Sequence, residues 1–155
     1  MGFGMHVTAL LLLLLLHVPP AAAQPVPALA LSAEQLSVLP QRDATLSFGN
    51  PPASHRFEGP LLWDVLVSSG TLDPARHGDT VRQWLQFRAA DGYTAVVALG
   101  EIAPEFAGRP AILAVRMDGM PLDRPRLVMP DELRAGRSAR DVVAVSVETL
   151  PDPRR

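Results

Sequence analysis

The chain has 155 residues, 16 acidic against 14 basic side chains, and no cysteine. The slight negative balance argues against a nucleic-acid surface, which would be strongly basic, and the missing thiol excludes disulfides, thiolate metal sites and a cysteine nucleophile. Every Lys/Arg position is arginine; codon composition produces such a bias, and so does a need for two-pronged carboxylate or phosphate ligands.

Residues 7–16 are apolar apart from Thr8 and end in seven leucines, and Pro19, Pro20 and Ala21-Ala22-Ala23 follow. An apolar core of about ten residues before a small-x-small site reads as a secretory leader, too short for a membrane span of roughly twenty. Cleavage after Ala23 makes residues 1–23 a signal peptide, 24–150 the working domain and 151–155 a disordered tail. The product is then periplasmic or secreted; an uncleaved anchor is the alternative, since residues 1–6 lack the usual Lys or Arg.

Residues 24–31 form a Pro/Ala-rich lead-in. Ser32-Ala33-Glu34-Gln35 has the Ser-x-x-Gln form of a capping box, in which each end satisfies an orphan backbone donor. A short helix follows, and Pro40 stops it. Residues 41–55 read as loop, with a strand confined to 45–48. At Gly59-Pro60 a second helix starts, because proline loses nothing in a first helical turn. Leu62, Val65 and Leu66 recur at i, i+3 and i+4 and face the core, and Gly70 ends the helix. After a polar loop over 71–79, Leu85, Phe87 and Ala89 alternate with Gln86 and Arg88, the period of a half-buried strand. Asp91-Gly92 supplies the positive φ angles of a tight hairpin turn, and 94–99 is the returning strand. Residues 104–108 read as a turn or a single helical turn. A strand over 111–117, a second hairpin turn at Asp118-Gly119, and a strand over 126–129 stopped by Pro130 follow. Val143, Val145 and Val147 alternate in a last strand. Strands dominate the second half and short helices the first, so the fold class is α+β with mixed or antiparallel sheets.

The common catalytic signatures are missing. Beyond the leader only His55 and His77 remain, far apart in sequence, so no zinc spacing arises and no metal ligand is assigned. There is no Gly-x-Ser-x-Gly nucleophile elbow, no phosphate loop and no Gly-x-Gly-x-x-Gly fingerprint. Glu101 and Glu105 have a spacing that an acid–base pair could use, as do solvated surface carboxylates. The stretch PRLVMPDELRAGRSARDVV, residues 125–143, sets Arg126, Arg134, Arg137 and Arg140 around Gly136. Guanidinium and backbone N–H groups so placed hold a phosphate or carboxylate. The interleaved Asp131, Glu132 and Asp141 offer internal ion pairing as the rival account.

Four segments, FEGPLLWDVLVSSG (57–70), DGYTAVVALGEI (91–102), AILAVRMDGMPLD (111–123) and RLVMPDELRAGRSAR (126–140), resemble the molybdopterin-binding domain of the sulfite oxidase superfamily in order and spacing. The likeness spans roughly residues 30–148 and is nearest to small exported bacterial molybdopterin-dependent oxidoreductases. It implies a β-rich α+β fold with short helices and a molybdopterin cofactor whose phosphate lies at Arg126, Gly136, Arg137 and Arg140. It also sets the Asp91-Gly92-Tyr93 hairpin beside the pterin-facing side; read on its own chemistry, Tyr93 is a core or rim aromatic whose hydroxyl finds a backbone partner. Family members ligate molybdenum through a cysteine ahead of the helix that corresponds to 61–67. This chain has none, and its 42–56 stretch is short for an active-site segment. The family's Gly-x-Lys-x-x-Lys-Trp stretch is represented by Gly136, Arg137 and Arg140, without the Trp. Neither serine nor histidine reproduces the donor character of a thiolate, which argues against sulfite-oxidase-type turnover. Two readings follow. One is an oxidoreductase-like domain that still binds the pterin, alone or with a membrane redox partner. The other is a non-catalytic exported module that keeps the fold and binds a small anion or a partner protein.

Overall fold

The computed structural model describes residues 28–76 and 80–151, and the expected leader, His77 and residues 152–155 of the expected tail lie outside them. Strand β1 (Ala28–Ala30) leads to helix α1 (Ala33–Ser37), whose N-cap Ser32 accepts the Gln35 N–H at 3.2 Å. The reciprocal half of the capping box is altered, because the Ser32 hydroxyl donates to the Gln35 side chain at 3.1 Å. After Pro40, β2 (Gln41–Phe48) begins at once and pairs with β3 (Ala53–Pro60). This hairpin replaces the loop expected over 41–55. Ala44, Leu46 and Phe48 do alternate, but one of them is only an alanine and polar residues fill the other face, so the pattern is faint.

Gly59-Pro60 closes β3 instead of opening a helix. A Cβ at Gly59 would lie 2.2 Å from the Leu113 carbonyl oxygen, so this glycine serves a close backbone crossing rather than a helix start. Helix α2 (Leu62–Ser68) then buries Leu62, Val65 and Leu66 as expected, and Gly70, at φ +72°, follows its C-cap.

A short 3-10 turn (Thr80–Arg82) precedes β4 (Gln83–Ala89), which buries Leu85, Phe87 and Ala89. The connection to β5 (Thr94–Ala98) differs in detail from the expected two-residue turn. Only Gly92 takes positive φ (+87°), while the Ala89 carbonyl accepts the Gly92 N–H and the Ala89 N–H donates to the Tyr93 carbonyl. This is a three-residue loop with glycine in the left-handed position. Leu99 leaves the strand to begin α3 (Leu99–Ile102), a single turn. Strands β6 (Ile112–Met117) and β7 (Met120–Val128) are joined through Asp118-Gly119, both at positive φ (+50° and +81°), as expected. β7 starts well before Arg126; its early half is mostly exposed, and the strand carries Pro121 and Pro125, which an edge strand tolerates. A second 3-10 turn (Ala135–Arg137) leads to β8 (Val142–Thr149). The alternation expected there fails: Val142, Ala144, Val145 and Ser146 are all buried, in a strand that runs inside its sheet between β1 and β4.

The strands form two four-stranded sheets, β1-β8-β4-β5 and β2-β3-β6-β7, with every pair antiparallel. The protein is thus α+β, mostly antiparallel sheet with few short helices. Leu66, Phe87, Leu99, Leu113 and Leu127 belong to the main core, which both sheets and α2 build. β6 serves two cores: Leu113 and Val115 enter the main one, while Ile112 and Ala114 enter a smaller one with Leu46, Phe57 and Val128. β7 divides its residues the same way, and Arg126 lies on the side of the smaller core. That position makes the candidate site.

Candidate functional site: an arginine-lined groove

Arg126 is only 9% exposed, yet its Nε is enclosed without a partner and its guanidinium makes no ion pair among the described residues. The guanidinium instead lies over the Phe48 ring, 4.6 Å from the centroid, and over Phe57 at 5.2 Å. Such cation–π contact returns about 0.5–2 kcal/mol, less than the several kcal/mol that desolvating a lone charge costs. Burial first, and the neighbouring Arg140 charge second, hold the Arg126 pKa below the ordinary arginine value, with Asp141 acting the other way.

The stack is braced from outside. The His55 ring packs on Phe48 with centroids 4.5 Å apart and planes 23° apart. Asp118 then fixes His55, with Oδ2 2.7 Å from Nδ1, while its Oδ1 accepts the Arg56 N–H at 2.9 Å. These hydrogen bonds, that of His55 foremost, hold the Asp118 carboxyl below the usual carboxylate range.

The segment around Gly136 is strapped onto β7. Leu127 N–H donates to the Ala139 carbonyl at 2.9 Å, and Met129 N–H donates to the buried Ser138 hydroxyl at 3.1 Å. From the other sheet, the Tyr93 hydroxyl donates to the Gly136 carbonyl at 2.6 Å. Tyr93 is therefore a half-exposed rim aromatic with a backbone partner, and its own N–H is held by the Asp91 side chain at 2.9 Å. Gly136 has ordinary φ and open space where a Cβ would stand. Arg140 follows, exposed, with no hydrogen-bond or ion-pair partner among the described residues.

Two clefts meet at these arginines. One, of about 220 Å³, is lined by Asp91, Tyr93, Arg126, Gly136, Ser138 and Arg140. The other, of about 400 Å³, shares Arg126 and Arg140 and adds Arg124 and Asp141 with the apolar Phe48, Met117 and Leu122. Three of the four segments on which the family resemblance rests line this groove, Asp91 and Tyr93 from the second, Met117 and Leu122 from the third, and Arg126, Gly136 and Arg140 from the last, while the first lies beneath it, with the buried Phe57 under the Arg126 guanidinium.

Arg137 stands apart from the other two cationic candidates. It forms a two-pronged pair with Glu101 (2.8 and 3.1 Å), and its Nε donates to Glu132 at 2.8 Å. The Arg137 hydrogen bond is the main cause of a lowered Glu101 pKa, and Glu101 in turn is the main cause of a raised Arg137 pKa. Glu101 thus closes its segment as an ion-pair anchor that ties α3 to the 3-10 turn, while Glu105 accepts from the Thr80 hydroxyl at 3.3 Å. The two glutamates do not act on each other in these contacts.

Sequence reasoning had brought out Arg126, Arg140, Gly136 and Tyr93, which the fold gathers, but passed over Phe48, Phe57, His55, Asp118, Met117 and Leu122. The available signal was the run PRLVMP, in which an arginine alternates with residues that are buried on both faces. Among the described residues no three His, Asp or Glu side chains gather as a metal site. No family model matches the chain, and no curated protein matches it either.

Proposed function

We propose that this chain is an exported domain of the sulfite-oxidase pterin-binding type that works as an anion-binding module, receiving a phosphate or carboxylate at Arg126 and Arg140. One observation carries the reading: Arg126, largely buried with its Nε enclosed, and the exposed Arg140 stand side by side where two clefts join, neither with an ion-pair partner among the described residues. A guanidinium whose Nε is enclosed without an acceptor carries an unmet desolvation cost, and an anion bound at its accessible side offsets that cost. The convergence of three of the resembling segments on this groove, the antiparallel two-sheet build and the leader-like residues 1–23 support the family and the exported location. In this scheme Arg126 and Arg140 meet the anion, Gly136 leaves room for it, Tyr93 holds the loop, and Arg137 anchors the loop through its carboxylates.

The phosphate of a molybdopterin fits this donor set, since the orphaned Arg126 is the kind of group it would satisfy. The metal end does not fit. The chain has no cysteine, and a molybdenum centre of this type takes a soft thiolate ligand. No redox step follows from these residues.

The test uses the purified chain from a host that makes molybdopterin, assayed for molybdenum, for pterin, and for thermal stabilisation by inorganic phosphate. Phosphate at a hundredfold excess over its Kd should stabilise by about 2.7 kcal/mol, with the effect lost in Arg140→Ala. Absence of any phosphate response in the wild type overturns the anion-binding reading. Stoichiometric molybdenum in the isolated protein would instead establish the cofactor-loaded oxidoreductase.

A further inference from the structure

The larger arm of the groove says what kind of anion belongs there, provided the anion site proposed above holds. At about 400 Å³ it falls within the range of small-molecule pockets. Counted at about 30 Å³ per water, that is room for roughly thirteen waters, far more than a lone phosphate or sulfate fills. Its wall is not uniformly polar. Phe48, Met117 and Leu122 are half-buried fringe residues of the smaller core, and they leave part of their apolar surface facing this arm. Arg124, Arg126 and Arg140 oppose the single carboxylate Asp141, three cations against one anion. The smaller arm, with Asp91, Tyr93 and Ser138, is polar and suits a hydrated head.

We propose that the groove binds an amphiphilic organic anion: a phosphate or carboxylate head held by Arg126 and Arg140, with an apolar ring or short chain laid against Phe48, Met117 and Leu122. Apolar surface facing an open cleft gains roughly 25 cal/mol per Å² when a ligand covers it, and a polar tail of the same size forgoes that gain. The buried, partnerless Arg126 supplies the reason for the charge and the three fringe side chains supply the reason for the tail. Phe48 joins the two, since the ring that carries the Arg126 guanidinium also lines the apolar arm.

Isothermal titration of the full chain with inorganic phosphate, glycerol phosphate and phenyl phosphate tests this. Phenyl phosphate is expected to bind at least tenfold tighter than glycerol phosphate, and Leu122→Asn to bring that ratio close to one. Arg140→Ala is expected to weaken all three. Equal affinity for the phenyl and glycerol esters, with inorganic phosphate still bound through Arg140, overturns the apolar arm and leaves the anion site standing. If none of the three binds, the anion site falls and this inference with it.

Discussion

Replacing Arg126 by methionine separates an anion-binding arginine from a structural one. In the wild type Arg126 is 9% exposed and carries an orphaned Nε, and an unsatisfied buried polar group costs about 1–3 kcal/mol. Methionine removes that cost and keeps an unbranched chain of comparable reach. The substitution forfeits cation–π contact with Phe48 and Phe57, about 0.5–2 kcal/mol, and regains sulfur–aromatic contact of about 0.3–1.5 kcal/mol. The balance leaves the anion-free variant about 1 kcal/mol more stable than the wild type, near 4 °C in Tm for a chain of this size. Thermal and urea unfolding in phosphate-free buffer measure this, and repeating both with phosphate measures the linked effect. Phosphate should stabilise the wild type and leave Arg126→Met unmoved. A variant destabilised by roughly 2 kcal/mol or more without anion, beyond what the lost ring contacts explain, would refute the reasoning, because the arginine would then serve the fold itself.

Gly59→Ala should cost about 3 kcal/mol or more, since its Cβ would stand 2.2 Å from the Leu113 carbonyl oxygen and 2.6 Å from the Ala114 Cα; urea unfolding reads this, and a loss below about 1 kcal/mol would mean the two strands can part. Glu101 has a folded-state pKa below its ordinary 4.5. Its contribution is therefore complete above that value and fades as pH falls through the lowered one. Stability measured from pH 7 downwards should fall in that acid range, and Glu101→Gln should flatten that part of the profile. Tyr93→Phe removes one hydrogen bond, 2.6 Å to the Gly136 carbonyl, and should cost about 0.5–1.5 kcal/mol. Unfolding midpoints check it, and an unchanged midpoint would leave the rim contact without weight.

Features caused within a few residues were readable along the chain. Ser32 caps α1 because Gln35 is one turn away, and Gly70 and Asp118-Gly119 take positive φ where helix and hairpin must reverse. Leu62, Val65 and Leu66 on one helical stripe, and Leu85 and Phe87 at strand period, found the core by repetition alone. Readings failed where the cause was remote. Gly59-Pro60 has the local form of a helix start, but the crossing with Leu113 decides its role. Val143 and Val147 keep the alternation in sequence, yet β8 lies between β1 and β4, strands from elsewhere in the chain, and Ala144 and Ser146 are buried along with Val145.

The groove divides the same way. Residue types alone nominated Arg126, Gly136, Arg137 and Arg140, because guanidinium groups around a glycine suit an anion whatever the fold. Which arginines remain without partners was decided only in three dimensions. Arg137 meets Glu101 from 36 positions away, while Arg126 is lifted by β7 onto Phe48 and Phe57 and forms no ion pair with a carboxylate among the described residues. Charge is a property of the side chain and was visible from the start; its compensation depends on which distant strands come to lie beside it, and that is a property of the packed sheets.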